Sequence, residues 1–507
     1  MSLGMITVVV FGLIVIMISI YGNTLSKKTA VDYMVAGREI GAFVMFFYIA
    51  FVIYSAWTFY GYPGFLYLHG PGFLVFALTA HFMFSFLFFG LGPRLWAVGR
   101  MYGVISPLEY LEQRYESPAL RVITAVVLVT FILPYIGAQC VGGGAGFQAA
   151  LDVPFWVGAV YMAVLMTIVV VLGGMRTVAW VNVLLGCIFI AAFAGSLLWV
   201  IYKALPGGLA QAAQDILARS PEQLSLPGPK GIMDYKMIFG LTLVGIMAMG
   251  WPHVVIGALT ARNVKVLRSF SILFIILGGI LFYSVATLWG IIVGPALMPG
   301  LVGKGADAVV QLVVQKFLPA WFSIAVLMAV VAAAMSTAGT QLMVAGIFIT
   351  RDFVTKVIKR TITDAEMLLW TRISLIVVVV ISTALALLRP VELGLFLTDL
   401  SSPGLTQWLP LLLGALFWKR ANKYGAIASL VAGVVVLVIA MNYKPIRFGY
   451  PAVVIATLVN VVTFVVVSLV TKPTSADTIK KYFEDVDGYL EALDKDKITT
   501  PGVSAKL

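Results

Sequence analysis

The sequence predicts an all-α integral membrane protein of thirteen transmembrane helices. Three observations predict it. The 507-residue chain is 61% hydrophobic and only 11% charged, with a mean hydropathy of +1.03, far from the composition of soluble globular domains. Its apolar residues gather in thirteen runs long enough to cross a bilayer, which takes about 20 residues. Two of those runs, the second and the seventh, are interrupted by Gly and Pro at matching places.

The runs lie near 3–22, 41–66, 72–98, 119–150, 154–174, 177–202, 236–261, 269–296, 319–350, 366–388, 391–418, 422–441 and 448–471. The first, from Leu3 to Ile20, is followed by Lys27 and Lys28 and lacks a small-residue cleavage site, so it reads as a retained span. In the second, Tyr54-Ser55-Ala56-Trp57-Thr58 places polar groups mid-span, and Gly61-Tyr62-Pro63-Gly64 follows. In the seventh, Met249-Gly250-Trp251-Pro252-His253 breaks an apolar helix. Proline removes a backbone hydrogen bond and glycine permits unwinding. A matched pair of interrupted spans points to an inverted-repeat transporter with its binding site at the membrane midplane. The repeat is not visible as sequence identity. The membrane domain is expected over 1–471 and a tail over 472–507.

An odd number of spans puts the termini on opposite sides. One set of loops, between Lys27 and Lys423, carries 19 Lys and Arg, and the alternate set carries 9. The positive-inside rule makes the first set cytoplasmic, with the N-terminus outside and the C-terminus inside, in a cell (inner) membrane. The formal charge of +12 is therefore an orientation signal, and no nucleic-acid partner is expected. The Pro- and Gly-rich segment 205–235 is an external loop, and Asp307 to Leu318 a short helix on the external surface. Ser475 to Lys495 carries Ile479, Tyr482, Phe483, Val486, Tyr489, Leu490 and Leu493 among charges, the pattern of an amphipathic helix. Packing on the protein is its expected role. Cys140 and Cys187 fall in apolar runs and read as core residues, without disulfide or metal.

The ninth run holds Ser336, Thr337, Thr340 and Gln341 amid Ala and Gly. At helical spacing these four share one side. Neutral oxygens at the midplane suit Na⁺ or a polar solute, and close helix packing is the plain alternative. His81 and His253 are intramembrane ionisable groups and so functional candidates, with structural hydrogen bonding as the other reading. His69 falls at an external turn and reads as solvated. Asp399 suits an external gate or a helix cap. Gln139 faces a cavity or makes an interhelical hydrogen bond. Enzyme chemistry and cofactors are not expected: the sequence has no HExxH, no histidine pair at metal spacing and no phosphate-binding Gly-rich loop. A channel is disfavoured because paired broken helices suit alternating access. A transporter-like sensor stays open as a different class, although the tail carries no recognisable signalling module.

Several motifs together resemble one family. Asp32-Tyr33-Met34-Val35-Ala36-Gly37-Arg38, Gly173-Gly174-Met175-Arg176 with Ala179-Trp180, Ala334-Met335-Ser336-Thr337 with Gln341-Leu342, and Leu416-Phe417-Trp418-Lys419 are similar to the sodium:solute symporters, in their order and spacing. The resemblance runs from about residue 5 to 470. It implies the fold of the amino-acid symporter LeuT: two inverted five-helix repeats, about 41–202 and 236–418, one extra span before them and two after. Thr58-Phe59 with Gly64, Leu133-Pro134-Tyr135, and Trp251-Pro252-His253 followed by Leu259-Thr260-Ala261-Arg262-Asn263 look most like its monocarboxylate-permease branch. Ser336-Thr337 looks more like the sodium/proline and pantothenate branches.

The resemblance implies alternating-access symport with Na⁺ as coupling ion. Carried over by position, the sodium ligands are Ser336, Thr337 and the carbonyl of Ala333, with the carbonyls of Phe51 and Tyr54. The chain departs from the family twice, with Ile53 and Asn182 where many members carry Asp, which implies one coupling ion. Substrate candidates are Ser55, Trp57, Thr58, Gln139, Trp251 and His253; gate or coupling candidates are His81, Asp399, Thr340 and Gln341. A short monocarboxylate such as lactate, pyruvate, acetate or propionate is the expected solute. A proline-like amino acid or pantothenate is the alternative; the ammonium of an amino acid would need Asp399 or aromatic faces. The lipid bilayer is the remaining partner, and a monomer suffices.

Overall fold

A computed structural model describes residues 3–24, 29–358, 361–388 and 401–495. Among these residues the chain is helical, with one isolated bridge between Ile40 and Ala261. Ten helices are long and apolar enough to cross a membrane, and one bent pair makes eleven. The exact count of thirteen is not confirmed among the described residues. The fifth and sixth are one 50-residue element, Phe155–Ala204, broken at Gly174 by a left-handed φ of 61°. The eleventh, 391–418, is described only from residue 401 onward, and Asp399 lies outside the described residues.

The elements used below are α1 (Leu3–Thr24), α2 (Ala42–Ile53), α3 (Trp57–His69), α4 (Pro71–Tyr102), α5 (Pro107–Tyr115), α6 (Pro118–Leu151), α7 (Phe155–Ala204), α8 (Tyr235–Met247), α9 (Pro252–Val255) and α10 (Val264–Leu297). They continue with α11 (Val309–Phe317), α12 (Ala320–Ile358), α13 (Asp364–Leu388), α14 (Leu409–Phe417), α15 (Lys423–Asn442), α16 (Ala452–Val470) and α17 (476–494). The helix α12 is the most enclosed span. It packs on α6 and α7, with Ala332, Ala333, Ala334, Ala338 and Gly339 letting neighbours approach closely. The first helix and the α15–α16 hairpin lie at the periphery.

Both predicted interruptions are present. Between α2 and α3 the axis bends by 57°, and Tyr54 is extended at φ −81°, ψ 101°. Between α8 and α9, Trp251 is extended at φ −61°, ψ 121°, and Pro252 opens the new helix. A residue before proline is biased to this conformation, and proline is at home in a first helical turn. On one face the two broken spans are tied together. Ile40 N–H donates to Thr260 O at 3.2 Å, Arg262 N–H donates to Ile40 O at 2.9 Å, and Trp96 Nε1 donates to Ala261 O at 3.0 Å.

That face gathers the larger set of basic residues. Arg121 pairs with Asp352 at 2.5 Å and with Glu109 and Glu112, while Arg351 and Lys356 pair with Glu109 and Glu112. This cluster joins α5, the start of α6 and the end of α12. Burial works against the Glu109 carboxylate. The Arg351 and Arg121 guanidiniums and the Ile105 and Ser106 N–H groups outweigh it and hold the carboxyl below its usual range. Here α17 packs too, as an amphipathic helix should. It buries Tyr482, Phe483 and Val486 and pairs Asp487 with Arg94 at 2.5 Å.

Three expectations are corrected. His69 is buried, its ring 4.2 Å from that of Phe65, because the 205–235 loop folds over it and Gln223 Nε2 donates to Tyr67 O at 3.1 Å. The external segment is a buried lid, with Val309, Val310, Val313 and Val314 fully enclosed. Its Gln311 accepts from Tyr60 Oη at 3.0 Å and donates to Ser323 Oγ at 2.7 Å. Cys187 is exposed on the outer surface, and only Cys140 is a core residue.

Candidate functional site

The hydroxyl stripe of α12 meets the end of α2. Ser336 Oγ donates to Phe51 O at 2.6 Å and lies 2.8 Å from Ala333 O. Thr337 Oγ1 lies 3.2 Å from the same Phe51 carbonyl. All these residues, and Tyr54 three positions beyond Phe51, are buried. Phe51 O sits where the helix is ending. The last carbonyls of a helix lack their intrahelical partners, so this one can take a side-chain hydroxyl or a cation. The set is made of neutral oxygens, without a titratable side chain, which fits Na⁺. Bound there, Na⁺ would turn the Ser336 and Thr337 protons away and take the lone pairs.

Two further polar groups adjoin this set. Thr340 Oγ1 lies 3.5 Å from Ser336 O, a contact within its own helix. Asn182, the residue standing in for a carboxylate, points Nδ2 at Tyr48 O (3.4 Å) and Ser336 O (3.5 Å). A donor there ties α2 and α12 to α7, where a carboxylate would have offered oxygens to a cation.

The polar residues of the first interruption largely serve the interruption itself. Trp57 N–H donates to Ser55 Oγ at 3.1 Å, and Ser55 N–H to Thr58 Oγ1 at 3.3 Å. Ala56 N–H donates to Gln139 Oε1 at 3.2 Å, and Gln139 Nε2 donates to Tyr135 O at 3.3 Å. A restarting helix has orphan N–H groups, and short hydroxyl side chains satisfy them. Ser55, Thr58 and Gln139, read from sequence as substrate ligands, are thus engaged as caps. Trp57 packs against Tyr62, Phe73 and Phe76.

The second interruption differs. Trp251, His253 and Tyr135 form an aromatic cluster with ring centroids 5.1–5.6 Å apart, and Phe84 stands 5.5 Å from Trp251. Trp251 Nε1, both ring nitrogens of His253 and both amide atoms of Gln341 are buried without a hydrogen-bond partner. Each such group costs about 1–3 kcal/mol unless something satisfies it, and Trp57 Nε1 at the first break is likewise without a partner. Sequence reading missed the other side of the first break. There Tyr54 Oη meets His81 Nε2 at 2.8 Å, between Phe274 and Tyr283. His81 was singled out as an intramembrane ionisable residue, but its pairing with Tyr54 was not, and Gly278 gives that contact its room.

Two of the motifs that carried the resemblance touch each other. Asp32 accepts from Arg176 Nε at 3.0 Å and Nη2 at 2.6 Å, and Tyr33 Oη donates to Val170 O at 2.8 Å. A Cβ on Gly174 would lie 2.6 Å from the Tyr33 ring. Arg38 donates to Val104 O at 2.8 Å and also to Gly99 O.

Comparison with known proteins agrees with the fold. The chain superposes with a TM-score of 0.77 on a Na⁺-coupled sialic acid symporter in a substrate-bound outward-open state, at 17% identity, covering 94% of this chain and 99% of that one. A nucleobase-cation-symport-1 family transporter in a closed conformation matches with a TM-score of 0.55 at 13% identity, over 90% of this chain and 98% of that one. By sequence, a sodium/proline symporter of Staphylococcus aureus is 26% identical over 93% of each chain. The osmoregulated proline transporter OpuE of Bacillus subtilis is 24% identical over 87% of this chain and 89% of its own. The sodium:solute symporter family matches residues 33–433, most of the chain, and the protein belongs to that family.

Proposed function

We propose that the protein is a Na⁺-coupled symporter for a small solute bearing a carboxylate, with a proline-like amino acid as the first candidate. The observation that carries the symport reading is the convergence of Ser336, Thr337 and the Ala333 carbonyl on the Phe51 carbonyl at the break of the second span. The binding site adjoins it at Trp251, His253 and Gln341, whose buried donors and acceptors await a partner. The carboxylate is held by these groups, by exposed N–H groups at the restarted helices and by Na⁺. The faces of Trp251 and Tyr135 take the ammonium. The relatives that transport proline support this choice over the monocarboxylate that the sequence fragments suggested.

One observation keeps the monocarboxylate as a second reading: neither interruption contains an Asp or Glu to pair with an ammonium. One Na⁺ moves per turnover, because Ile53 and Asn182 supply no carboxylate for a second ion. The two inverted repeats occupy about 41–202 and 236–418, the tail begins at 472, and the basic face is cytoplasmic.

A panel of proline, other amino acids, lactate, acetate, pantothenate and sugars, tested for uptake competition in proteoliposomes with and without Na⁺, decides the substrate. Na⁺-dependent proline binding is the expected outcome. A Na⁺-dependent response to short monocarboxylates alone would select the second reading. Uptake driven by a proton gradient without Na⁺ would refute the coupling.

A further inference from the structure

His81 sits outside the oxygen cluster, yet one of its two side-chain hydrogen bonds leads to Tyr54 beside it. Its Nδ1 lies 3.1 Å from Ala77 O, one turn back on α4. A carbonyl can only accept, so Nδ1 carries the hydrogen. The neutral ring then presents a bare Nε2, and Tyr54 Oη lies 2.8 Å from it, placed to donate. The tautomer is fixed by the first bond, and the direction of the second follows. The Tyr54 and His81 rings are nearly parallel at 5.7 Å. Phe274 stacks on His81 at 4.8 Å, and Tyr283 meets its edge at 4.3 Å. A Cβ on Gly278 would collide with the Tyr54 hydroxyl, so α10 is shaped to leave this contact room.

Tyr54 is the residue at which the second span unwinds, with ψ at 101°. Its N–H closes the last turn of α2 on Ala50 O at 2.9 Å. The Phe51 carbonyl, three residues earlier, is the α2 member of the candidate cation set that meets Ser336 and Thr337, and the Tyr54 carbonyl is the further one the family resemblance implies. A rigid aromatic side chain held at its far end by an acceptor fixes the backbone just past the Phe51 carbonyl.

We propose that His81 is a positioning residue for the cation site, acting through Tyr54. It accepts the tyrosine hydroxyl, is not itself a ligand, and carries no transported proton. The inference rests on the cation-site reading given above.

The test titrates the purified full chain with NaCl, balanced by choline chloride, and reads the sodium concentration that half-saturates thermal stabilisation. His81→Phe keeps a ring and removes the acceptor; Tyr54→Phe keeps the ring and removes the donor. Each is expected to raise the half-saturating sodium by about three- to ten-fold, the scale of one lost hydrogen bond. The double variant should equal either single, because the two changes remove the same bond. His81→Gln, whose amide oxygen can accept in the place of Nε2, should return within about twofold of the wild type.

Additive effects in the double variant, or a wild-type titration for His81→Phe, would overturn the proposal. If His81→Phe fails to fold, Tyr54→Phe with His81→Gln still decides it: a wild-type Tyr54→Phe titration, or a His81→Gln titration no better than that of Tyr54→Phe, refutes it. Ser336→Ala separates the two levels. A shift with Ser336→Ala but none with His81→Phe sinks the positioning role alone. No shift with either sinks the cation site itself.

Discussion

At the scale of single residues, the candidate site divides into groups that cap backbone and groups that await a ligand. The sequence singled out Ser336 and Thr337 as hydroxyls in an Ala-rich apolar run, a pattern that also serves close helix packing. The sequence could not assign Ser55, Thr58 and Gln139, because a polar residue at a break can face a cavity or cap the restarting helix, and the one-dimensional pattern is the same. In the structure their oxygens meet Trp57, Ser55 and Ala56 N–H groups. Ser336→Ala and Thr337→Ala should each raise the half-saturating sodium for uptake by about tenfold or more, since a bond to a charged group is worth about 1.5–3 kcal/mol. Unaltered sodium dependence in the reconstituted double variant would refute their role. Asn182 makes a complementary test. Asn182→Asp would turn a carboxylate toward the Tyr48 and Ser336 carbonyls that the amide now addresses. It should lower stability in choline and make the protein depend more steeply on Na⁺ than the wild type. A variant equally stable in both salts would show that no cation can enter there.

At the scale of elements, the second interruption was readable from Gly250 and Pro252, while the first falls at Tyr54-Ser55-Ala56, ahead of the Gly61-Tyr62-Pro63-Gly64 stretch, which lies within the restarted helix. The surroundings of α5, the lid and His69 were not readable. Their positions depend on contacts between distant parts of the chain: Gln223 with Tyr67, Gln311 with Tyr60, and Glu109 with Arg351. The Glu109 cluster gives α5 its anchorage and makes a pH prediction. Its carboxyl is held below the ordinary value of 4.5, and that of Glu112 is lowered too, with Lys356 and Arg121 overcoming burial. A carboxylate with a depressed folded-state pKa contributes stability above its unfolded value and loses it as pH falls through the folded one. Thermal stability in detergent should therefore hold from neutral pH to near 5 and fall below about 4.5. Glu109→Gln should lose about 1–3 kcal/mol at pH 7, leaving Arg351 and Arg121 short of an anion, and its decline in acid should be shallower. An identical acid profile would assign the decline to other groups.

At the scale of the molecule, sidedness was legible because basic residues are excluded from the membrane and collect in loops. The structure gathers Arg94, Arg114, Arg121, Arg268, Arg351 and Lys419 on one face. It also lays the acidic tail helix across it, Asp487 on Arg94 and Asp494 on Arg268. The tail touches α4 through Tyr102 and α5 through Tyr110, so it shares the side of the loops with 19 basic residues. The 205–235 loop is on the other side, where Arg219 donates to Pro295 O at 3.1 Å. Sidedness alone does not say which face is cytoplasmic; the positive-inside rule does. It places the tail inside and Lys230 outside. With Cys140 and Cys187 replaced, Lys230→Cys should react with a membrane-impermeant maleimide on intact cells. Lys480→Cys, on the exposed side of the tail helix, should react only after permeabilisation. The reverse pattern would invert the molecule. The segment over Tyr60 would then lie on the cytoplasmic side, and the direction of coupled transport would have to be argued again from the opposite face.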